Sequence, residues 1–410
     1  MSNITKISLD TLIRERKILL GRGEIISRIE IEKYPGNYPV YSSSAHNNGK
    51  FGEYGKYLFD EELITWSVDG GGDFFYRPKH KFSVTNVSGF LKILDYGYIY
   101  KFIYYSLFLQ HRFLTFDYTT KAHPSVIRKL YHIPQFSRTY QQKIAEILTT
   151  IDIAIEKTED LIKKYKQIKS GLMHDLFTRG VLPDGKLRPP KEEAPELYKE
   201  TTIGWIPKEW DVNPLNNEVR IIDCKHLTPS YKDSGIPVIR PRNINDDGLD
   251  FADVEYVDYK TYLQMTDIHK PGKADIVYSR NASFGIPCYV ETEEEFAIGQ
   301  DVVVMTKKKS NTRFIYYVLK SNIIMKQIMR LFAGSTFGRI NLGDIRELRT
   351  PIPPINQQHL IIGRLTRVDG LINHEKEKHN KLIKKKFGLM HDLLTGKVSV
   401  KVNEEVLTDE

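Results

Sequence analysis

The six residues GLMHDL occur twice in this chain, at positions 171–176 and again at 388–393. Each copy closes a longer, similar stretch. The first reads IPQFSRTYQQKIAEILTTIDIAIEKTEDLIKKYKQIKSGLMHDLFTRG and the second IPPINQQHLIIGRLTRVDGLINHEKEKHNKLIKKKFGLMHDLLTGK, so both run from Ile-Pro through Gln-Gln into a charged amphipathic segment. A chain of 410 residues exceeds one ordinary domain, and a unit present twice predicts two related halves.

Apolar residues in the first copy fall at Ile144, Leu148, Ile151, Ile155, Ile162, Tyr165, Ile168, Leu172 and Leu176, and in the second at Ile361, Leu365, Val368, Ile372, Ile383, Phe387, Met390 and Leu393. Steps of three and four mark one helical stripe. Pro353 and Pro354 precede the second stretch and Gly396 follows it, the boundary signals of a helix. A helix from about Gln141 to Phe177 is about 55 Å long at about 1.5 Å per residue. Two such helices separated by a domain can bury their stripes against each other, and an antiparallel pair is expected. Thr158 interrupts the first stripe near its middle, and Glu375 and His379 interrupt the second. Facing each other, these polar residues would fix register at a cost in stability; the alternative is that they rotate out to solvent.

The remaining sequence forms two blocks, about 1–132 and 201–350, rich in Tyr, Phe, Val, Ile and Gly. Runs such as ELITWSV, FSVTNV, GIPVIRP, ADIVYSR and DVVVMT have strand character. Helices are expected over 98–111 and 313–331, and both contain FIYY, at 102–105 and 314–317. The stretch LFTRGVLPDGKLRPPKEEAPELYKE is dense in Pro, Gly and charge and reads as a connector.

Several chemistries are argued against. GVLPDGKL satisfies GxxxxGK but offers Leu187 where a phosphate loop needs a Ser or Thr hydroxyl. Asp223-Cys-Lys225 and Asp258-Tyr-Lys260 suggest a nuclease only by common three-letter patterns, without a convincing upstream acid. Neither an NPP-aromatic tetrapeptide nor a Gly-rich S-adenosylmethionine turn occurs. The His174-Asp175 and His391-Asp392 pairs sit on repeated helix ends, where capping or partner contact is the simpler reading. Cys224 and Cys288 lack metal-ligand spacing and read as buried structural thiols. No long apolar run suggests a membrane span, so a cytoplasmic protein is expected.

The formal net charge of +8 suits a polyanionic partner. Polar loops supply candidate contacts. The second block offers Arg240, Arg242 and Asn243 in IRPRNI, Arg280, Asn281 and Ser283 in YSRNASFG, and Ser335, Thr336, Arg339 and Asn341 in AGSTFGRIN. The first offers Tyr41, Ser43, Asn47 and their neighbours in YSSSAHNNGKFG, and Thr119, Lys121 and His123 in TTKAHPS. Arg pairs with guanine, Asn with adenine, and Ser or Thr with phosphates or base edges. Ordinary turn chemistry is the competing account of such loops.

Taken with TTIGWIPKEWDV at 201–212 and AGSTFGRINLGDIRELRTPIPP before the second helix, these motifs resemble the specificity (S) subunits of type I restriction-modification systems. The resemblance covers nearly the whole chain. It implies an α+β fold with a pseudo-twofold internal repeat, in which two mixed α/β target-recognition domains are joined by two long helices packed as an antiparallel coiled coil. The corresponding divisions are 1–135 and 201–351 for the recognition domains, 136–178 and 352–396 for the helices, 179–200 for the connector and 397–410 for the tail. It further implies a non-catalytic subunit that reads a bipartite, asymmetric target in double-stranded DNA, one half-site per domain. Two methyltransferase (M) subunits would dock on the helices and carry S-adenosylmethionine, while restriction (R) subunits would use ATP and Mg. The subunit itself would need no cofactor or metal. The rival expectation is a DNA nuclease or fused restriction enzyme with its own metal site. Two departures stand out: the first half lacks a GWIPKEW equivalent, and it has Gln135 where the second has Pro354.

Overall fold

The computed structural model describes residues 4–401 except 44–45, 70, 72, 117–120, 226, 228, 281–284, 333–337 and 339. The chain divides into one unit of residues 1–161 with 375–410 and a second of residues 162–374. Both long helices contribute to both units.

In the first unit a six-stranded sheet runs in the order Ile18–Arg22, Ser88–Ile93, Phe59–Ser67, Phe74–Val84, Tyr38–Tyr41, Lys50–Tyr54. Neighbours are antiparallel except Tyr38–Tyr41 beside Phe74–Val84. Past its edge strand the chain turns back on the far end of the sheet, where the Glu24 N–H donates to the Val84 carbonyl at 3.0 Å. Gly23 permits this approach, since a Cβ there would lie 1.9 Å from the Val84 oxygen. The sheet therefore curls towards a closed barrel. One face packs on the helix Tyr100–His111 and on Ile144 and Leu148 of the first long helix.

The second unit holds a four-stranded antiparallel sheet, Val219–Asp223, Val302–Lys307, Ile276–Ser279, Pro287–Tyr289, and a three-stranded one, Glu255–Val257, Ile236–Ile239, Ala297–Ile298. Continuous apolar runs such as Val302–Met305 are buried throughout, which is why they show no alternation. Cys224 and Cys288 are both buried here, and burial pushes the Cys288 thiol up to about 11.

The long helices span Arg138–Thr178 and Ile355–Leu394, the first beginning slightly before the expected Gln141. In the first unit Asp152 pairs with Lys386 at 2.7 Å and Glu159 with His379 at 2.9 Å, so the numbers move in opposite senses and the helices are antiparallel. Thr158 is buried and returns its hydroxyl to the Ala154 carbonyl at 2.8 Å, while Glu375 is largely buried. The polar interruptions therefore lie at the seam and do not rotate away. In the second unit Lys169 meets Asp369 at 2.5 Å, and Ile168 is exposed, a correction to the predicted stripe. The lysine takes the seam position because its ammonium has a carboxylate there, which an isoleucine cannot use.

One further expectation changes. The helix expected over 313–331 is two helices, Thr312–Leu319 and Asn322–Leu331, broken where the Ser321 hydroxyl donates to the Val318 carbonyl at 2.6 Å. The stretch after the first long helix is structured. Arg188, buried, pairs with Glu209 and donates to the Arg179 carbonyl at 2.9 Å, and Trp210 of GWIPKEW donates to Gln357 at 2.9 Å. Within GVLPDGKL the Leu182 N–H reaches the Lys186 carbonyl at 2.7 Å and Gly185 takes φ +83°. A tight turn has formed where a phosphate loop would lie open.

The repeat also reaches the first strand. Lys6–Ser8 pairs with His132–Pro134 as Asp211–Pro214 pairs with Arg349–Ile352, so Lys6–Ser8 takes the place of the strand that follows GWIPKEW in the second half.

Candidate nucleic-acid interface

In the first unit the loop between Tyr38–Tyr41 and Lys50–Tyr54 closes through Ser42 N–H to the Gly49 carbonyl at 2.8 Å. Asn47, Asn48 and Gly49 follow one another at φ +49°, +53° and +78°, a left-handed run that Asn and Gly tolerate best. The two asparagines are exposed at the tip. Ser43 is half-buried beside them.

Tyr41 is half-buried, with its hydroxyl 3.2 Å from His80 Nε2. Arg77 lies 3.6 Å over its ring and donates to Thr65 Oγ1 at 3.0 Å. Arg77 is only 2% exposed, and burial pushes its guanidinium down to about 10. Sequence reading missed this arginine because strand alternation alone does not distinguish a buried cation from an exposed one.

A second group was also missed. Lys56 sits 3.7 Å over Tyr34, Lys81 4.7 Å over Tyr57 and Arg28 5.8 Å over Phe51, while Tyr38 and Tyr57 meet edge-on at 5.2 Å. Tyr34, Phe51 and Tyr57 are all exposed. Cations interleaved with exposed rings suit phosphates and unstacked or edge-presented bases. The residues come from a helix, a hairpin and a long strand, so no short motif announces them.

Lys121 is exposed and pairs with Asp69 at 2.9 Å. His123 is exposed, and its Nδ1 accepts the Ser125 N–H at 3.3 Å and caps the helix Pro124–Leu130.

In the second unit the candidates separate by burial. Arg242 stays 49% exposed, with Asp253 3.9 Å away. Arg240 is half-buried, bonded to Tyr231 and to Glu255 at 2.9 Å. Asn243 is 2% exposed, its Oδ1 accepting the Arg240 N–H at 3.1 Å and its Nδ2 donating to the Asp253 carbonyl at 2.8 Å. Arg280 is 5% exposed; Nη1 donates to both Asp223 oxygens at 2.9 and 3.0 Å, and Nε to the Ile340 carbonyl at 3.2 Å. Asn243 and Arg280 thus spend their polar groups inside the fold, where they are poorly placed to meet bases. Asn281, Ser335, Thr336 and Arg339 lie outside the described residues.

Residues of the two nuclease-like patterns are likewise engaged within the fold. Asp223 serves Arg280, Lys225 pairs with Asp267, and Asp258 caps the helix Tyr259–Met265 by accepting the Thr261 N–H at 2.7 Å.

Comparison with known proteins now decides the family. A model of the type I restriction modification DNA specificity domain matches residues 18–167 and 207–384, one match on each half. The chain belongs to this family. The MjaVIII specificity subunit of Methanocaldococcus jannaschii is 26% identical over 393 residues, covering 90% of this chain and 88% of that one. The MpnII specificity subunit of Mycoplasma pneumoniae is 25% identical over 191 residues, covering 46% and 51%. A crystal structure of the S subunit from M. genitalium aligns over 96% of this chain and 97% of its own with a TM-score of 0.60 and 18% identity, a likeness of fold. As a specificity subunit, the chain puts its family-matched segments on the two recognition folds and on most of both long helices. Among the described residues no helix is long and apolar enough to cross a membrane.

Proposed function

We propose that this specificity subunit reads a bipartite, asymmetric target in double-stranded DNA, one half-site per unit, at a gap set by the long helices. The observation that carries the reading is the pairing of one shared scaffold with two different recognition folds. A six-stranded sheet in one unit and a four- plus three-stranded arrangement in the other present different surfaces, and different surfaces read different half-sites. The long helix pair serves as the ruler, as half-site spacing follows protein geometry in other DNA readers.

In this reading the subunit performs no chemistry. Two M subunits supply S-adenosylmethionine-dependent methylation, and R subunits supply ATP- and Mg-dependent cleavage. A surface suited to such partners lies at the end of the first long helix. In the second unit His174, Asp175, Lys191, Trp205 and Arg330 line a cavity of about 660 Å3, and Met325, Met329 and Leu331 are exposed on the adjoining helix. The basic and aromatic face of the first unit and Arg242 of the second are the best-placed DNA contacts.

The test is to express the chain with its methyltransferase partner in a methylation-deficient host and map methyladenine genome-wide. A two-part motif with one gap supports the reading. Seven residues inserted after Glu156 and seven after Asn373 keep the stripes in phase. They add about 10 Å to each helix, which is about three base pairs at about 3.4 Å each. An unaltered gap in that variant would remove the ruler.

A further inference from the structure

FIYY occurs in both halves, and DNA reading leaves it unexplained. In the first unit Tyr105, its last residue, is buried and donates to Asp152 Oδ2 at 2.7 Å; the other oxygen of Asp152 holds Lys386 Nζ at 2.7 Å. Thr149 lies 3.5 Å from the same phenol. In the second unit Tyr317 donates to Asp369 Oδ2 at 2.7 Å, Oδ1 of Asp369 holds Lys169 Nζ at 2.5 Å, and Thr366 lies 3.3 Å from the phenol. Each lysine also approaches the ring of its tyrosine, at 5.8 Å and 5.5 Å.

One carboxylate thus joins three elements: a recognition-fold helix through the phenol, its own long helix through the backbone, and the opposite long helix through the ammonium. Lys386 and Lys169 are mostly buried and the tyrosines fully so. Charge-assisted bonds at such sites are stronger and more directional than surface pairs. The apolar stripe alone does not set an axial position, because sliding one helix past the other by a turn brings apolar residues back to apolar residues. A carboxylate that must meet both a phenol and an ammonium permits one position only. Burial holds both phenols above their ordinary pKa, so they stay donors.

A buried glutamine completes each junction. Gln141 accepts the Ile99 N–H at 3.1 Å, and Gln358 accepts the Asn311 N–H at 3.1 Å, in both cases at the start of the FIYY helix. That helix is thereby held to the long helix at its first turn and at its tyrosine.

We infer that Tyr105–Asp152–Lys386 and Tyr317–Asp369–Lys169 are register locks, whose positioning residues fix each recognition fold axially on the helix pair and so make the gap between half-sites a single value. The inference rests on the bipartite reading above. Its test therefore includes a readout independent of DNA. Cysteine pairs replace Glu159 with His379 (in register) or Glu159 with Lys376 (about one turn out), and disulfide formation is compared with and without Asp152→Ala and Asp369→Ala.

The lock predicts that the alanine changes raise the out-of-register cross-link about tenfold and, in methylome mapping, raise methylation at gaps one base pair longer or shorter about tenfold. Tyr105→Phe with Tyr317→Phe, which keeps the packing and removes only the hydroxyls, gives the same shifts at smaller size should the alanine variant fail to fold. An unmoved cross-link overturns the lock even if the wild-type chain shows no two-part motif. A moved cross-link with an unchanged gap overturns its role in specificity. A wild-type chain without a two-part motif but with a moved cross-link sinks the bipartite reading and, with it, the specificity role, leaving the register lock standing.

Discussion

Arg280 offers the sharpest separation of a structural cation from a reading one. Its side chain is 6% exposed and bonded to Asp223, which is 23% exposed and also accepts the Cys224 N–H at 3.0 Å. Asp223→Ala leaves the guanidinium buried without its carboxylate, a change that costs about 3–5 kcal/mol. Arg280→Met leaves behind a carboxylate that water and the Cys224 N–H can still serve, and its cost is about 1–2 kcal/mol. With about 2–4 °C of melting temperature per kcal/mol for a domain of this size, the aspartate variant should melt about 6–20 °C lower and the methionine variant about 2–8 °C lower. The double variant should fall near Arg280→Met alone, because the stranded charge is gone. Thermal unfolding followed by circular dichroism reads all three. Below the transition, specific DNA affinity of the complex with its methyltransferase partner should stay within about threefold for Arg280→Met, well short of the loss expected for a base contact. If Arg280→Met melts like the parent and loses DNA binding tenfold, Arg280 is a reader and the reasoning from burial fails.

Three other outcomes are expected. Lys56→Ala and Lys81→Ala should each weaken binding to all sequences alike and lower the slope of log affinity against log salt by about one; a change confined to one base position would instead make them readers. Arg242→Ala, at an exposed side chain, should cost about 1–3 kcal/mol of specific binding and relax one base position without moving the melting temperature. His111 has its pKa held below 6.5 chiefly by burial, so the unfolded chain takes up its proton first. The stability that neutral His111 contributes is complete above about pH 6.5 and is lost as pH falls from there towards its folded value. His111→Gln should flatten that part of the melting profile, and an unchanged profile would assign the loss to other groups.

Particular residues show how far the sequence could be read. Ile144, Leu148, Ile361 and Leu365 are buried as their spacing requires, and FIYY, Gln-Gln and GWIPKEW all proved to be structural joints. Ile168 broke the stripe because a neighbouring lysine had a partner in a distant segment. Among the loop candidates, Arg242 and Arg280 are the same residue type in similar polar company, yet one faces solvent and the other is buried on Asp223. Nothing local distinguishes them, since burial depends on strands that the chain brings together only on folding. Lys56, Lys81, Tyr34 and Tyr57 form one face from separate elements and so left no motif.

The sequence by itself determined the doubled plan, the two long helices and the family, because helical periodicity and repeated motifs are local properties that each segment carries wherever it is placed. Only the tertiary structure decided which charges are spent inside and which stay exposed, and that one carboxylate in each half answers to a tyrosine and a lysine far away in the chain. Those choices follow from desolvation and geometry between distant segments: a buried cation must find its acid, and the fold supplies it.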